Sequence, residues 1–230
     1  MPKPRFISLS NLIKIAPIAG LLVLLIITVC FSFTIATYQD ERYAYSIFNH
    51  FISELGHTQG SPYYYFFSFA LCSAGVGCAI MLTGLHAFLD SKISSIALFF
   101  GLLSSLACFM VGVFPADTQL RPHLLAALVF FVGNLITAGL FSWAIAKNKQ
   151  SIPIRYALPG FTVFIIGIIF LALPTDSVVE FLKNRETYIR PIYWANAIFE
   201  WLVFFSLMVW IAMISFLLSR NKASTKKSTL

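Results

Sequence analysis

The stretch IAPIAGLLVLLIITVCFSFTIAT at residues 15–37 decides the fold, because it carries 23 residues in a row without a charged side chain. A helix of about 20 apolar residues crosses the hydrocarbon core of a bilayer. The stretch is too long for the apolar region of a signal peptide, and no small-x-small cleavage site follows it. We therefore interpret it as a retained anchor that forms the first transmembrane helix.

Five further stretches have a similar length and apolar character, at residues 62–88, 93–114, 122–146, 154–174 and 192–218. Each must be helical, because lipid offers unpaired backbone groups no hydrogen-bond partner. The sequence therefore predicts an all-α, polytopic membrane protein with a six-transmembrane-helix bundle over residues 15–218. Residues 1–14 are predicted to form a cytoplasmic N-terminus, and residues 219–230 a basic, disordered cytoplasmic tail.

The composition supports a membrane protein. Of the 230 residues, 59% are hydrophobic and 11% are charged, whereas a soluble domain carries about 25% charged residues. So few charges cannot cover a surface that faces water. The net charge of +7 lies mainly in short loops and tails, which indicates membrane topology and contact with membrane lipid and argues against a nucleic-acid partner.

Lysine and arginine predict the orientation of the chain. Eleven of them lie on one side of the predicted membrane: Lys3, Arg5, Lys14, Lys92, Lys147, Lys149, Arg155, Arg220, Lys222, Lys226 and Lys227. Five lie on the other: Arg42, Arg121, Lys183, Arg185 and Arg190. Because cytoplasmic loops are enriched in basic residues, both termini are predicted to lie in the cytoplasm, in a cell inner (plasma) membrane. The acidic residues gather on the outer side: Asp40, Glu41, Glu54, Asp117, Asp176, Glu180 and Glu186.

The connection between the first two helices has the pattern of an amphipathic helix. Over residues 43–55, apolar side chains recur at the spacing of one helix face, and Gly56 follows as a residue typical of helix ends. We expect a short outer helix that lies on the membrane surface or caps the bundle. The sequence SVVE at 177–180 resembles a capping box and predicts a second short surface helix.

Two corners of the chain resemble each other. Residues 114–118 read FPADT and residues 173–177 read LPTDS, and the helices that follow open with Arg-Pro at 121–122 and 190–191. Such patterns are typical of turns and helix starts. The alternative is an internal duplication, as in some transporters, which would place Asp117, Arg121, Asp176 and Arg190 around one outer vestibule.

Several short motifs occur together: NHFISELG at 49–56, Pro62, GVFP at 112–115 followed by Asp117, and His123. In combination they resemble the domain of unknown function 998 family of bacterial and archaeal membrane proteins, over about residues 15–215. The resemblance implies a helical membrane bundle of this size and no established activity. A more distant likeness, through the ISxxG segment, is to the Frag/DRAM/Sfk membrane proteins, some of which are tied to lipid remodelling or distribution. Fold-level likeness does not carry function.

Glu200 is the ionisable residue predicted deepest in the membrane. It lies in the third turn of the last predicted helix, about 12–13 Å from its outer end, where an unpaired charge costs several kcal/mol. We interpret Glu54, Asp117, His123 and Glu200 as candidate catalytic residues of one outward-facing pocket. Candidate binding residues are His50, Ser53, Arg121, Asp176 and Arg190.

One hypothesis for the pocket is a zinc site. His50, His123 and a carboxylate from Glu54, Asp117 or Glu200 could hold Zn²⁺ with a position open for water. The alternative is that the histidines cap helices and bond interfacial water. The sequence contains no HExxH or similarly spaced motif.

A second hypothesis is nucleophilic catalysis. Ser53 with a histidine base and a carboxylate would suit acyl transfer or hydrolysis. Ser53 lacks the strained turn that exposes such a serine, so an interfacial hydrogen-bonding role is the favoured alternative.

A third hypothesis is anion binding. Arg121 and Arg190 at helix N-termini could bind a lipid phosphate or carboxylate. The alternative is ion pairs within each hairpin, Asp117 with Arg121 and Asp176 with Arg190, which contribute little near the surface.

The leading interpretation is an integral membrane protein whose outward-facing polar pocket binds or modifies a membrane lipid or another amphiphile. It predicts a cavity where histidine and carboxylates converge. The alternative is a non-catalytic membrane module, such as a transporter subunit, sensor or assembly partner, in which the polar residues are scattered and paired for structure. Whether the chain is an enzyme, and its oligomeric state, stay open at this point.

Overall fold

The computed structural model describes residues 9–39, 44–148, 152–185 and 187–227. Its α-helices are α1 (Leu9–Ala36), α2 (Tyr64–Leu89), α3 (Lys92–Val113), α4 (Leu120–Lys147), α5 (Leu158–Ala172), α6 (Asp176–Lys183) and α7 (Ala195–Lys227). Two short 3₁₀ helices cover Ile52–Gly56 and Ile154–Tyr156. Several charged residues used above for orientation lie outside the described residues: Lys3, Arg5, Asp40, Glu41, Arg42, Lys149 and Glu186.

Six of these helices are long and apolar enough to cross a membrane, which confirms the predicted all-α polytopic architecture. They are α1, α2, α3, α4, α7 and the segment Ile154–Ala172 that contains α5. Large apolar side chains cover their outer faces; Phe99 on α3, for example, is 66% exposed. Such faces suit lipid, which is an apolar solvent for side chains.

The six long helices form a closed ring. Each packs against the next long helix along the chain, and α7 packs against both α5 and α1. Helices α2 and α3 approach each other closely, because small residues allow their backbones to meet. A Cβ atom on Gly75 would lie 2.6 Å from the carbonyl oxygen of Ser105, so any larger residue would push the two helices apart.

The connection between α1 and α2 folds over one end of the ring. We call residues 44–63 the cap segment, and the end of the bundle that they cover the cap end. The α3–α4 and α5–α7 connections lie at the same end, since Asp117 contacts Thr58 and Arg190 contacts Glu54. The cap end therefore gathers polar residues from three separate connections.

The helix in the cap segment is shorter than the sequence predicts. Instead of an amphipathic helix over 43–55, the segment has a turn at 47–49 and the five-residue 3₁₀ helix Ile52–Gly56. Its backbone groups bond to α7 and the residue before it: Trp194 N donates to the Phe48 carbonyl (2.8 Å), and the Trp201 indole N–H to the His50 carbonyl (3.1 Å). These tertiary bonds take the place of the bonds between backbone groups four residues apart that an α-helix requires.

The second predicted surface helix is confirmed as α6, but its capping differs. Ser177 does not cap the helix; its hydroxyl accepts a hydrogen bond from the indole N–H of Trp194 (3.0 Å). Trp194 also packs against Phe181 of α6, with ring centroids 5.4 Å apart. The helix is therefore held against the start of α7 by an aromatic contact.

The C-terminal tail also differs from the sequence prediction. The predicted disordered tail begins at residue 219, whereas α7 continues to Lys227, and residues 228–230 lie outside the described residues. No glycine or proline occurs between Ser219 and Lys227, so nothing in the local sequence ends the helix.

Candidate functional site at the cap end

A buried ion pair joins the cap segment to the chain just before α7. Arg190 and Glu54 are bidentate: Nη1 donates to Oε1 at 3.0 Å, and Nη2 contacts Oε2. Their side chains are 3% and 1% exposed. The guanidinium also lies 4.7 Å from the ring centroid of Phe181, an arrangement that favours a cation–π contact. Parallel, charge-assisted bonds of this kind are the strong ones in proteins.

Glu54 has a second role within the cap segment. Its Oε1 accepts a hydrogen bond from the backbone N–H of Phe51 at 2.8 Å, at the start of the 3₁₀ helix. One carboxylate thus closes the short helix and neutralises Arg190. Both of its oxygens are occupied by protein, so the geometry gives Glu54 a structural role.

Glu200 lies on α7 and is 8% exposed. Its Oε2 accepts a hydrogen bond from the backbone N–H of Ile52 at 2.8 Å. The helix begins at Ala195 rather than at 192, so Glu200 lies in its second turn, about 7.5 Å from its first residue at 1.5 Å per residue. Glu200 is therefore closer to the start of its helix than the sequence predicts. The reason is that residues 188–193 are not helical, and the backbone of Trp194 bonds to the cap segment just before the helix begins.

Asp117 ties the α3–α4 connection to the cap segment. Its Oδ2 accepts hydrogen bonds from the backbone N–H and the hydroxyl of Thr58, both at 2.7 Å, and from Gln59 N at 3.2 Å. Burial alone would raise the pKa of Asp117, but the bonds from Thr58 and the nearby His57 hold the pKa below its usual value. Oδ2 of Asp117 therefore holds the loop, whereas its Oδ1 is buried without a hydrogen bond among the described residues.

His57 is a buried histidine that no sequence motif indicates as a site residue. Its ring is 4% exposed, and its Nδ1 contacts the guanidinium of Arg185. Burial and the positive charge of Arg185 lower the pKa of His57 from 6.5 to about 3, since both disfavour a second positive charge. Sequence spacing could not reveal this contact, because the two residues are 128 positions apart.

His123 is held in one tautomer by the loop before its helix. It lies in the first turn of α4, is 4% exposed, and its Nδ1 is 2.7 Å from the carbonyl oxygen of Phe114. A carbonyl oxygen only accepts, so Nδ1 carries the hydrogen. In the neutral ring, Nε2 then keeps its lone pair.

A cavity of about 70 Å³ lies beneath the cap segment, inside the ring of helices. Eleven of its fourteen lining residues are apolar: Phe31, Ile52, Phe67, Leu71, Val111, Ala127, Phe130, Phe131, Val203, Phe204 and Leu207. The other three are Ser53, His123 and Glu200. Of the four candidate catalytic residues, His123 and Glu200 line this mainly apolar cavity, whereas Glu54 and Asp117 do not.

The three polar residues of this cavity each keep an atom without a hydrogen bond. Across the described part of the chain, the Ser53 hydroxyl, Nε2 of His123 and Oε1 of Glu200 have no such partner. Three polar atoms that border one cavity are therefore available to hydrogen-bond water or a ligand there.

The remaining predicted site residues lie elsewhere. His50 is fully buried, with Nδ1 2.7 Å from Asn49 Oδ1, and it packs against the ring of Tyr45. Arg121 and Asp176 are exposed. Neither belongs to the cavity lining.

The ion pairs expected within the two hairpins do not form among the described residues. Asp117 is occupied by Thr58 and Gln59 rather than by Arg121, and Arg190 pairs with Glu54 rather than with Asp176. The two Pro-x-Asp corners therefore differ. Asp117 of the first bonds to the cap segment, whereas Asp176 of the second is the first residue of α6.

The zinc hypothesis gains no support from the arrangement. In the part of the chain that is described, no group of three or more His, Cys, Asp and Glu side chains is placed to hold a metal ion. The two histidines have different surroundings. His50 packs against Tyr45 inside the cap segment, whereas His123 lines the cavity.

Comparison with known proteins agrees with the motif resemblance. A family model described as "Protein of unknown function (DUF998)" matches residues 18–217, a range that contains every residue of the cap end discussed above. No curated protein and no solved structure matches the chain. The more distant likeness to the Frag/DRAM/Sfk proteins stays a prediction.

Proposed function

Because this chain belongs to the DUF998 family of membrane proteins of unknown function, we propose its function from its own geometry: it binds a membrane lipid or another amphiphile beneath the cap segment. The observation that supports this function is the cavity itself. Its walls are apolar except for Ser53, His123 and Glu200, which each offer an open polar atom. Sites of this composition, mostly apolar with a few placed polar groups, are typical of small-ligand binding.

The volume limits which part of the ligand the cavity holds. At about 70 Å³ it is well below the roughly 300 Å³ at which ligand pockets begin. It has room for about two water-sized groups at ~30 Å³ each. We therefore assign it to the junction of an amphiphile, where a polar group meets the first carbons of its chain, and a larger fragment requires the cap segment to move.

The cap end is assigned to the outer side of the membrane. The opposite end carries Lys92, Lys147, Arg155 and Arg220 in the described ranges, and basic residues mark the cytoplasmic side. On this orientation the cavity serves an amphiphile of the outer leaflet.

A matched pair of variants tests binding. Val203 lines the cavity, whereas its neighbour Leu202 is 41% exposed on the outside of α7. Val203→Phe should fill the cavity and lower the yield of cross-linking to a long-chain alcohol carrying a photoactivatable diazirine beside its hydroxyl, by at least fivefold. Leu202→Phe should leave the yield unchanged.

Stability has to be followed in the same samples, because extra volume in a core costs about 1–3 kcal/mol. A folded Val203→Phe protein that cross-links as well as the Leu202→Phe protein would rule out binding in the cavity.

The second candidate, a non-catalytic membrane module, has its own support. Glu54, Arg190 and Asp117 are bonded to protein groups alone, as structural residues would be. This candidate gives the cap segment an assembly role. It predicts no cross-link at the cavity with the photoactivatable alcohol, even in the unmodified protein.

A further inference from the structure

We propose that Ser53 and His123 cleave a carboxylic ester of the bound amphiphile through an acyl-serine. This inference rests on the proposed function, since the ester has to bind in the cavity first. Both side chains line the same 70 Å³ space, and each presents an open atom of the required kind: a hydroxyl and an imidazole lone pair.

The backbone on both sides of Ser53 is held in place. The preceding N–H, that of Ile52, is bonded to Glu200, and the following side chain, Glu54, is paired with Arg190. The serine between them is the one residue of the 3₁₀ helix with a hydroxyl, and that hydroxyl has no hydrogen bond among the described residues. A nucleophile needs this combination of a fixed backbone and an uncommitted oxygen.

His123 has the tautomer that a general base requires. Its Nδ1–H is bound to the carbonyl oxygen of Phe114, which leaves the lone pair on Nε2. In serine hydrolases a carboxylate accepts the hydrogen bond from Nδ1–H and so fixes the same tautomer of the histidine. Here a backbone carbonyl does so, and it comes from the Phe-Pro-x-Asp corner whose Asp117 is itself bound to the cap segment.

The reaction balances with water as the only co-substrate. The Ser53 oxygen attacks the ester carbonyl carbon while Nε2 of His123 takes the hydroxyl proton. The C–O bond to the alcohol breaks, and His123 returns the proton to the departing alkoxide. Water, deprotonated by His123, then attacks the carbonyl carbon of the acyl-serine. The C–O bond to Ser53 breaks, His123 returns the proton to the Ser53 oxygen, and the carboxylic acid leaves. Glu200 in its protonated state would donate a hydrogen bond to the carbonyl oxygen as negative charge develops there.

The lining also selects the substrate class. None of the fourteen described lining residues is lysine or arginine, and the nearby Arg190 is committed to Glu54. A phosphate would therefore meet no positive charge in the cavity, whereas an uncharged ester suits apolar walls. The aromatic side chains of Phe31, Phe67 and Phe204 would pack against the first carbons of its chain.

An alkyl fluorophosphonate probe tests the inference in the full-length protein in detergent. Attack by the Ser53 oxygen on phosphorus would displace fluoride and leave a stable adduct, located by peptide mass spectrometry. We expect labelling at Ser53 that is abolished in Ser53→Ala and slowed about a hundredfold in His123→Asn, the usual scale for losing a general base. Asn at position 123 can still donate to the Phe114 carbonyl. Ser73→Ala, a serine of α2 that lines a different groove, should label like the unmodified protein.

The photoactivatable alcohol separates the two proposals, because it carries no ester. If it still cross-links at the cavity in folded Ser53→Ala, but the fluorophosphonate does not modify Ser53 in the unmodified protein, ester cleavage is wrong and amphiphile binding stands. If neither probe reacts at the cavity, both proposals fail. Equal labelling rates for His123→Asn and the unmodified protein would remove His123 as the base.

Discussion

At the residue scale, the ionisable side chains of the cap end differ in which of their polar atoms are hydrogen-bonded and in whether they line the cavity. Both oxygens of Glu54 are bound by Arg190, and one of them also by the backbone N–H of Phe51. Asp117 has Oδ2 bound by Thr58 and Gln59, whereas its Oδ1 is buried without a hydrogen bond among the described residues. Glu200 and His123 are bound on one side only and face the cavity with the other. Lining the cavity, rather than burial alone, therefore distinguishes the candidate functional residues Glu200 and His123 from Glu54 and Asp117.

His57 gives a prediction about pH. The unfolded chain takes up a proton on this histidine below pH 6.5, whereas the folded chain does so only near pH 3. The contribution of His57 to the free energy of unfolding should therefore be fully present above pH 6.5. It should fall by up to about 1.4 kcal/mol per pH unit as the pH drops toward 3. The lowered pKa of Asp117 acts only below about pH 3.8, so Asp117 does not mask the effect of His57 between pH 6.5 and 4.5.

The check is the melting temperature of the detergent-solubilised protein at pH 7 and pH 4.5, beside His57→Asn. Asparagine keeps an oxygen that can accept from Arg185 and does not titrate. Between pH 7 and pH 4.5, the melting temperature of the variant should fall less than that of the unmodified protein. Identical losses in the two proteins would show that His57 does not carry the effect.

The residue scale is also where sequence reasoning succeeded and failed. Glu54 and Glu200 stood out because charges are rare in this chain and costly in lipid. His57 and Arg185 did not, because their contact joins two connections far apart in sequence. No local pattern predicts that Arg190 pairs with Glu54 instead of Asp176, since the choice depends on how the cap segment folds back over the bundle.

At the scale of elements, the cap segment is held by α7 and by the connection before it. Its backbone carbonyls at Phe48 and His50 accept from Trp194 and Trp201, and Arg190 reaches into it. The apolar periodicity of 43–55 predicted a longer helix. The carbonyls of Phe48 and His50, which such a helix would use internally, instead accept these tertiary hydrogen bonds. The spans themselves were predictable, because a run of about 20 apolar residues has few alternatives in a bilayer.

The ion pair of Glu54 and Arg190 should be the main clamp on this element. Arg190→Met leaves a buried carboxylate without its cation, which costs about 3–5 kcal/mol. We expect a lower melting temperature and faster amide hydrogen exchange over residues 46–57. Lys183→Met on α6, an exposed lysine, should change stability by less than about 0.5 kcal/mol.

The clamp assignment depends on the contrast between the two variants. If Arg190→Met exchanges and melts like Lys183→Met, the pair does not hold the cap segment.

At the scale of the whole molecule, a closed ring of six helices offers two very different spaces. One is the small cavity beneath the cap segment. The other is a groove of about 460 Å³ on the outside of α1, α2 and α3, lined by residues such as Leu22, Phe69 and Val76. The groove is wide and apolar, so bulk lipid chains would fill it without selectivity. Of these two spaces, the cavity is the one that brings a serine, a histidine and a carboxyl group together within apolar walls.

Mapping where a photoactivatable amphiphile attaches tests the central claim most directly. The long-chain alcohol with a diazirine beside its hydroxyl is cross-linked to the unmodified protein, and the modified peptides are sequenced by mass spectrometry. We predict attachment at cavity residues, foremost Phe130, Val203 and Leu207. Attachment confined to the outer groove, at residues such as Phe69 and Val76, would contradict binding beneath the cap segment.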